Sequence, residues 1–276
     1  MFSKLLKHDW KSNSVLLGIL SLCALGAGVL GIFVVHGMIR LEKTAENANA
    51  AALGATGLDS LLSFIVIFLA IYLVAVQFIN IIRFYKSRFT DEGYLTFTLP
   101  VNVHQIFLSS FLHILLWLVI SVAVVIASAF MIIVIGGWET LQETAGILQD
   151  NLTDTSDTLA NYPGYETYQL LSTIATICSV VYNLVLIMTS ITLGAVLAKK
   201  HKILAAIGMY YGINIVVGLV TSILDVIPTL TENSTYYESY DYTNTILGIT
   251  IGLHVVLTTA FYFISTGLMK KKLNLP

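Results

Sequence analysis

Residues 83–105 read RFYKSRFTDEGYLTFTLPVNVHQ, a short polar island between two long apolar runs. Arg83, Lys86 and Arg88 come first, then Asp91, Glu92 and Gly93, then the apolar Tyr94, Leu95, Phe97 and Leu99, and finally Pro100. Tyr94 and Phe97 are three apart and Leu95 and Leu99 four apart, so on a short helix they form one apolar knob. Spanning a bilayer takes about twenty apolar residues, so this knob belongs in water or against another protein. Pro100 cannot continue a helix from before it but suits the first turn of the next one.

Working outward, the chain of 276 residues is 57% apolar and only 11% charged, with a mean hydropathy of +0.84. These values exclude an ordinary soluble domain and indicate a membrane protein. Six apolar runs are long enough to span: approximately Ser14 to Ile39, Ser60 to Ile82, Ile106 to Ile135, Tyr168 to Ala198, Ile203 to Ile227 and Thr245 to Met269. In lipid every backbone polar group needs an internal partner, which makes each run a helix and the fold all-α. The third and fourth runs exceed the bilayer thickness and should tilt or project. Residues 1–13 place Phe2, Leu5, Leu6 and Trp10 on one side of a helix and Lys4, Lys7 and Lys11 on another, the pattern of an interfacial amphipathic helix, with a solvated charged leader as the alternative. The run that follows is too long for a signal-peptide core and should remain attached. Cys23 and Cys178 fall inside apolar runs and read as small core residues; no metal-ligand spacing accompanies them.

Basic residues fix the expected orientation. Twelve of the 14 lie in four clusters of three: Lys4, Lys7 and Lys11; Arg83, Lys86 and Arg88; Lys199, Lys200 and Lys202; Lys270, Lys271 and Lys272. The first loop holds only Arg40 and Lys43, whereas the loops at 136–167 and 225–244 are acidic and hold none. Short basic loops stay cytoplasmic, so six spans with both termini in the cytoplasm are expected, with residues 83–105 on the same side. Such membrane-flanking clusters point to the lipid bilayer and not to nucleic acid as the charged partner.

The run Asp91, Glu92, Gly93, Tyr94, Leu95, Thr96, Phe97, Thr98, Leu99, Pro100, Val101, set in a loop after the second span, resembles the coupling helix of permease subunits of type-two ABC exporters. The family often has an acidic residue after the Leu where this chain has Thr96. The resemblance implies a bacterial plasma-membrane permease of residues 14–276, preceded by an elbow helix at 1–13. It implies a partner permease subunit, identical or related, and a separate ABC ATPase that binds ATP and Mg. It assigns Asp91, Glu92, Gly93, Tyr94, Leu95, Phe97, Leu99 and Pro100 to ATPase coupling, with Arg83, Lys86 and Arg88 orienting the loop at the headgroups. It places an outer cap before the last span, where Tyr236, Tyr237, Tyr240 and Tyr242 stand; an interfacial aromatic belt accounts for the same residues. Antimicrobial-peptide resistance is a common role in the family, and peptides, lipids and hydrophobic compounds are all compatible cargo.

The chain contains no phosphate loop and no Gly-Lys dipeptide, so it is not itself an ATPase and carries no cofactor of its own. HExxH and GxSxG are also missing, so no catalytic or metal residue is assigned. No acidic residue sits near a predicted midplane, which argues against proton or sodium coupling. Polar residues within spans are Gln77, Asn80, His113, Asn183, Asn214 and His254; Asn183, Asn214 and His254 are candidates for a substrate pathway or for helix packing. Gly208 and Gly212, like Gly248 and Gly252, have the four-residue spacing of closely approaching helices. The resemblance puts Gly208 and Gly212 at a dimer seam; packing within one subunit is the alternative. An ATP-independent transporter or channel, and a non-transporting sensor or assembly subunit, are the rival functions.

Overall fold

The computed structural model describes residues 2–44, 48–90, 92–93, 101–136, 164–198, 200–231 and 241–271. Among them there are six long helices and no strand: α1 (Phe2–Thr44), α2 (Ala48–Phe89), α3 (Val103–Phe130, continued by a π-helical turn Met131–Gly136), α4 (Tyr165–Leu197), α5 (Lys202–Thr231) and α6 (Asp241–Lys271). Each contains a segment long and apolar enough to cross a membrane. Large apolar side chains such as Phe64, Val74, Phe78, Ile126 and Phe263 are exposed along these helices, as a chain solvated by hydrocarbon requires.

The helices outrun the apolar stretches. Residues 2–13 are helical and continue into the first span without a break. The loop expected at 83–105 is shortened from both ends, because α2 runs to Phe89 and α3 begins at Val103. The outer segment at 225–244 narrows likewise, with α5 reaching Thr231 through Pro228 and α6 starting at Asp241, so that Tyr242 is helical. Hydropathy marks where lipid ends, whereas a helix propagates for as long as each residue adds a backbone bond. Tyr236, Tyr237 and Tyr240, and most of the loop at 136–167, lie outside the described residues. At the end of that loop Gly164 adopts φ 83° before α4, a left-handed conformation that glycine takes without steric cost.

The chain divides into two compact units, Met1–Arg83 with Leu112–Asn151, and Phe84–Phe111 with Leu152–Pro276; α2 and α3 contribute to both. In the first unit Leu17 and Ala24 of α1, Leu69, Tyr72 and Val76 of α2, and Trp117 of α3 form a buried core. Trp10 stacks on Trp117 at 5.1 Å, and Ser21 shares a 2.9 Å hydrogen bond with the Tyr72 hydroxyl. A Cβ at Gly28 would stand 2.9 Å from the Ser128 Cβ, so this glycine permits close approach of α1 and α3. The second unit is organised on α4, which packs on both α5 and α6 and buries Leu184, Val185, Leu186, Met188 and Ile191. Cys23 is exposed and Cys178 half-buried, so Cys23 is not a core residue: an apolar span has an outer face for small apolar side chains as well as an inner one.

Candidate functional site

The segment joining α2 to α3 is held by its two ends. Thr90 Oγ1 donates to the Lys86 carbonyl at 2.5 Å, the Gly93 amide donates to the Thr90 carbonyl at 2.7 Å, and Tyr85 stacks on Phe89 with ring centroids 6.2 Å apart. On the far side the Gln105 and Ile106 amides donate to the Asn102 carbonyl at 2.9 and 3.2 Å, opening α3. Glu92 is exposed and Gly93 buried. A Cβ at Gly93 would fall 2.5 Å from the Arg88 carbonyl oxygen, so any larger residue must displace the backbone. Asp91, Tyr94, Leu95, Phe97, Leu99 and Pro100 lie outside the described residues.

Arg88, one of the three basic residues at the end of α2, is buried. It is 2% exposed, and its Nε and Nη2 donate to Ser110 Oγ at 3.2 and 3.0 Å, while Ser110 donates to the Ile106 carbonyl at 3.2 Å. The helix phase explains this: Phe84 and Arg88, four apart, share the buried face of α2, whereas Lys86 projects outward. A permanently charged guanidinium in that position needs fixed partners, and Ser110 supplies one from α3. Further along α3, His104 Nδ1 and the Tyr262 hydroxyl share a 2.9 Å hydrogen bond, and Phe107 meets the Tyr262 ring edge-on at 5.4 Å. The start of α3 is thereby bonded to both α2 and α6.

The polar residues within the spans divide into three groups. Asn183 and Asn214 donate from Nδ2 to carbonyls of their own helices, Ser179 and Tyr210, both at 2.9 Å. Neither joins one helix to another among the described residues. His254 lies with its ring centroid 4.7 Å from that of Tyr182, and its Nδ1 and the Tyr182 hydroxyl are both buried with no hydrogen-bond partner among the described residues. The third group is in the first unit, where Asn80 is 1% exposed, and neither amide atom of Asn80 or of the half-buried Gln77 has a hydrogen-bond partner among the described residues. His113 is buried, with Trp10 edge-on at 6.3 Å.

Gly208, Gly212, Gly248 and Gly252 have nothing within 4 Å of a Cβ built on them, so they mediate no close packing among the described residues. The glycines that do are Gly28, Gly31 and Gly194; a Cβ at Gly194 would meet the Ala206 backbone nitrogen at 2.5 Å. The interhelical hydroxyls also escaped the sequence reading: Ser265 of α6 donates to Thr189 Oγ1 of α4 at 2.9 Å, and Ser128 of α3 reaches the Ala24 carbonyl of α1 at 3.3 Å. Small residues at four-residue spacing on α1, Ala24 and Gly28, were the available signal for that contact. Among the described residues no group of His, Cys, Asp and Glu is placed to hold a metal ion. Comparison with protein-family models, with curated proteins and with solved structures gives no match.

Proposed function

We propose that this chain is the membrane-spanning permease subunit of an ATP-driven exporter of the type-two ABC class, paired with a second permease subunit and powered by a separate ATPase. The observation that carries the reading is the segment DEGYLTFTLPV at 91–101, set between two membrane-length helices and directly after the basic cluster Arg83, Lys86 and Arg88. An acid-Gly-apolar-Pro island too short to enter lipid is suited to seating in a groove of a soluble partner.

The bonds around the segment suggest how force would travel. A push on residues 91–100 would act on the end of α2 and the start of α3 together, because Arg88 is hydrogen-bonded to Ser110 across that pair. The His104–Tyr262 hydrogen bond extends the rigid assembly to α6. Leu95 would fill the apolar seat, with Tyr94, Phe97 and Leu99 around it and Asp91 and Glu92 at its rim. The open faces at Gly208 and Gly212 are available for a second permease subunit.

Leu95→Asp tests the assignment, since a charge in an apolar seat without a partner is strongly disfavoured. The substitution should abolish stimulation of the ATPase and export while leaving the thermal midpoint of the membrane domain unchanged. Export at the wild-type rate by Leu95→Asp would contradict the proposed role of the segment.

A further inference from the structure

A cleft of about 620 Å³ opens where the end of α2 meets the start of α5, lined by Tyr85, Phe89, Thr90, Lys200, His201, Lys202, Ile203, Leu204 and Ile207. Its volume falls within the range of about 300 to 1,000 Å³ common to ligand sites. The lining combines two chemistries. Lys200, His201 and Lys202 stand where the α5 backbone starts, with the Ala205 amide donating to the His201 carbonyl at 3.0 Å. Ile203, Leu204 and Ile207, on the first turns of α5, add exposed aliphatic side chains. Tyr85 and Phe89, mutually stacked, form the aromatic wall.

We infer that this cleft binds the phosphate-bearing headgroup of an anionic phospholipid, with the acyl chains laid along Ile203, Leu204 and Ile207. A lining that joins lysines to exposed aliphatic side chains matches an amphiphile whose charge and chains are joined, and basic pockets between membrane helices take such headgroups. A free phosphate would leave the aliphatic lining unused. A second copy of the chain would bring its own lysines to the same place, with like charges opposed. The cleft also reaches Phe89, the last residue of α2, and Thr90 after it, so a bound lipid would touch the chain where it leaves α2. The binding site is independent of whether an ATPase partner exists.

The test is native mass spectrometry of the full chain, with any retained subunits, released from mild detergent and titrated with phosphatidylglycerol or phosphatidylcholine. Phosphatidylglycerol should bind the unaltered chain, and Lys200→Gln/Lys202→Gln should weaken it about thirtyfold, as the loss of two surface lysines implies. Lys200→Gln alone, at an exposed position outside any helix, should weaken it about fivefold and guards against misfolding of the double variant. Arg40→Gln/Lys43→Gln, which removes the same charge outside the four basic clusters, should bind phosphatidylglycerol as the unaltered chain does, and phosphatidylcholine should bind all forms equally. Equal phosphatidylglycerol binding by all forms would overturn the inference. So would glycerol phosphate binding as tightly as the lipid, which would make the ligand a free phosphate. A change in oligomeric state of the double variant with lipid binding intact would assign the cleft to a second copy instead.

Discussion

Two buried residues in this chain show how differently a polar group can be accommodated. Arg88 is enclosed and bonded through two nitrogens to Ser110. Asn80, equally enclosed, has neither amide atom bonded among the described residues. A buried amide without partners has lost its hydration and recovered nothing, so an apolar residue of similar size in its place removes a penalty of about 1 to 3 kcal/mol. Asn80→Leu should therefore raise stability by roughly 1 kcal/mol, read as a higher thermal midpoint in detergent. A lower midpoint would mean that Asn80 has a structural partner. Raised stability with export lost would instead mark Asn80 as a pathway residue. The sequence identified Asn80, Arg88 and His254 as polar groups in or beside the spans, but not what surrounds them. Which of Arg83, Lys86 and Arg88 turns inward depends on the phase of α2 against α3, and a charge count carries no phase.

The elements were legible because lipid imposes a strict rule on them. A span needs about twenty apolar residues and must satisfy its own backbone, so six runs announce six helices. Their ends were less legible: α1 continues past Ile39 to Thr44 and α2 past Ile82 to Phe89, where hydropathy has already fallen. Helix contacts were the least legible, because glycine spacing is the same at a packed face and at an open one. Gly194 meets Ala206 across α4 and α5, whereas Gly208 and Gly212 meet nothing among the described residues. Gly194→Val should destabilise the chain by about 1 to 3 kcal/mol, the usual cost of overpacking. Gly208→Ala/Gly212→Ala should not lower the unfolding midpoint of the monomer, because a Cβ there meets nothing among the described residues and alanine favours the helix. A midpoint shift in the second variant matching that of the first would contradict the open face.

At the scale of the molecule, the segregation of charge predicts an orientation. In a background lacking Cys23 and Cys178, a cysteine at Lys200 should react with a membrane-impermeant thiol reagent only from the cytoplasmic side, and one at Glu166 only from outside. Reaction of both from the same face would refute six spans with cytoplasmic termini. Among the described residues there are six membrane-length helices, and the sequence has the segment at 91–100 but no phosphate loop. In our account the missing ATPase is a separate polypeptide. Purification of the tagged chain from its native membrane in mild detergent, with identification of every stoichiometric companion, tests this most directly. A soluble protein carrying a GxxxxGK phosphate loop, retained by the unaltered chain and lost from Leu95→Asp, is the predicted result. A chain that emerges alone and moves substrate in vesicles without ATP would contradict the account.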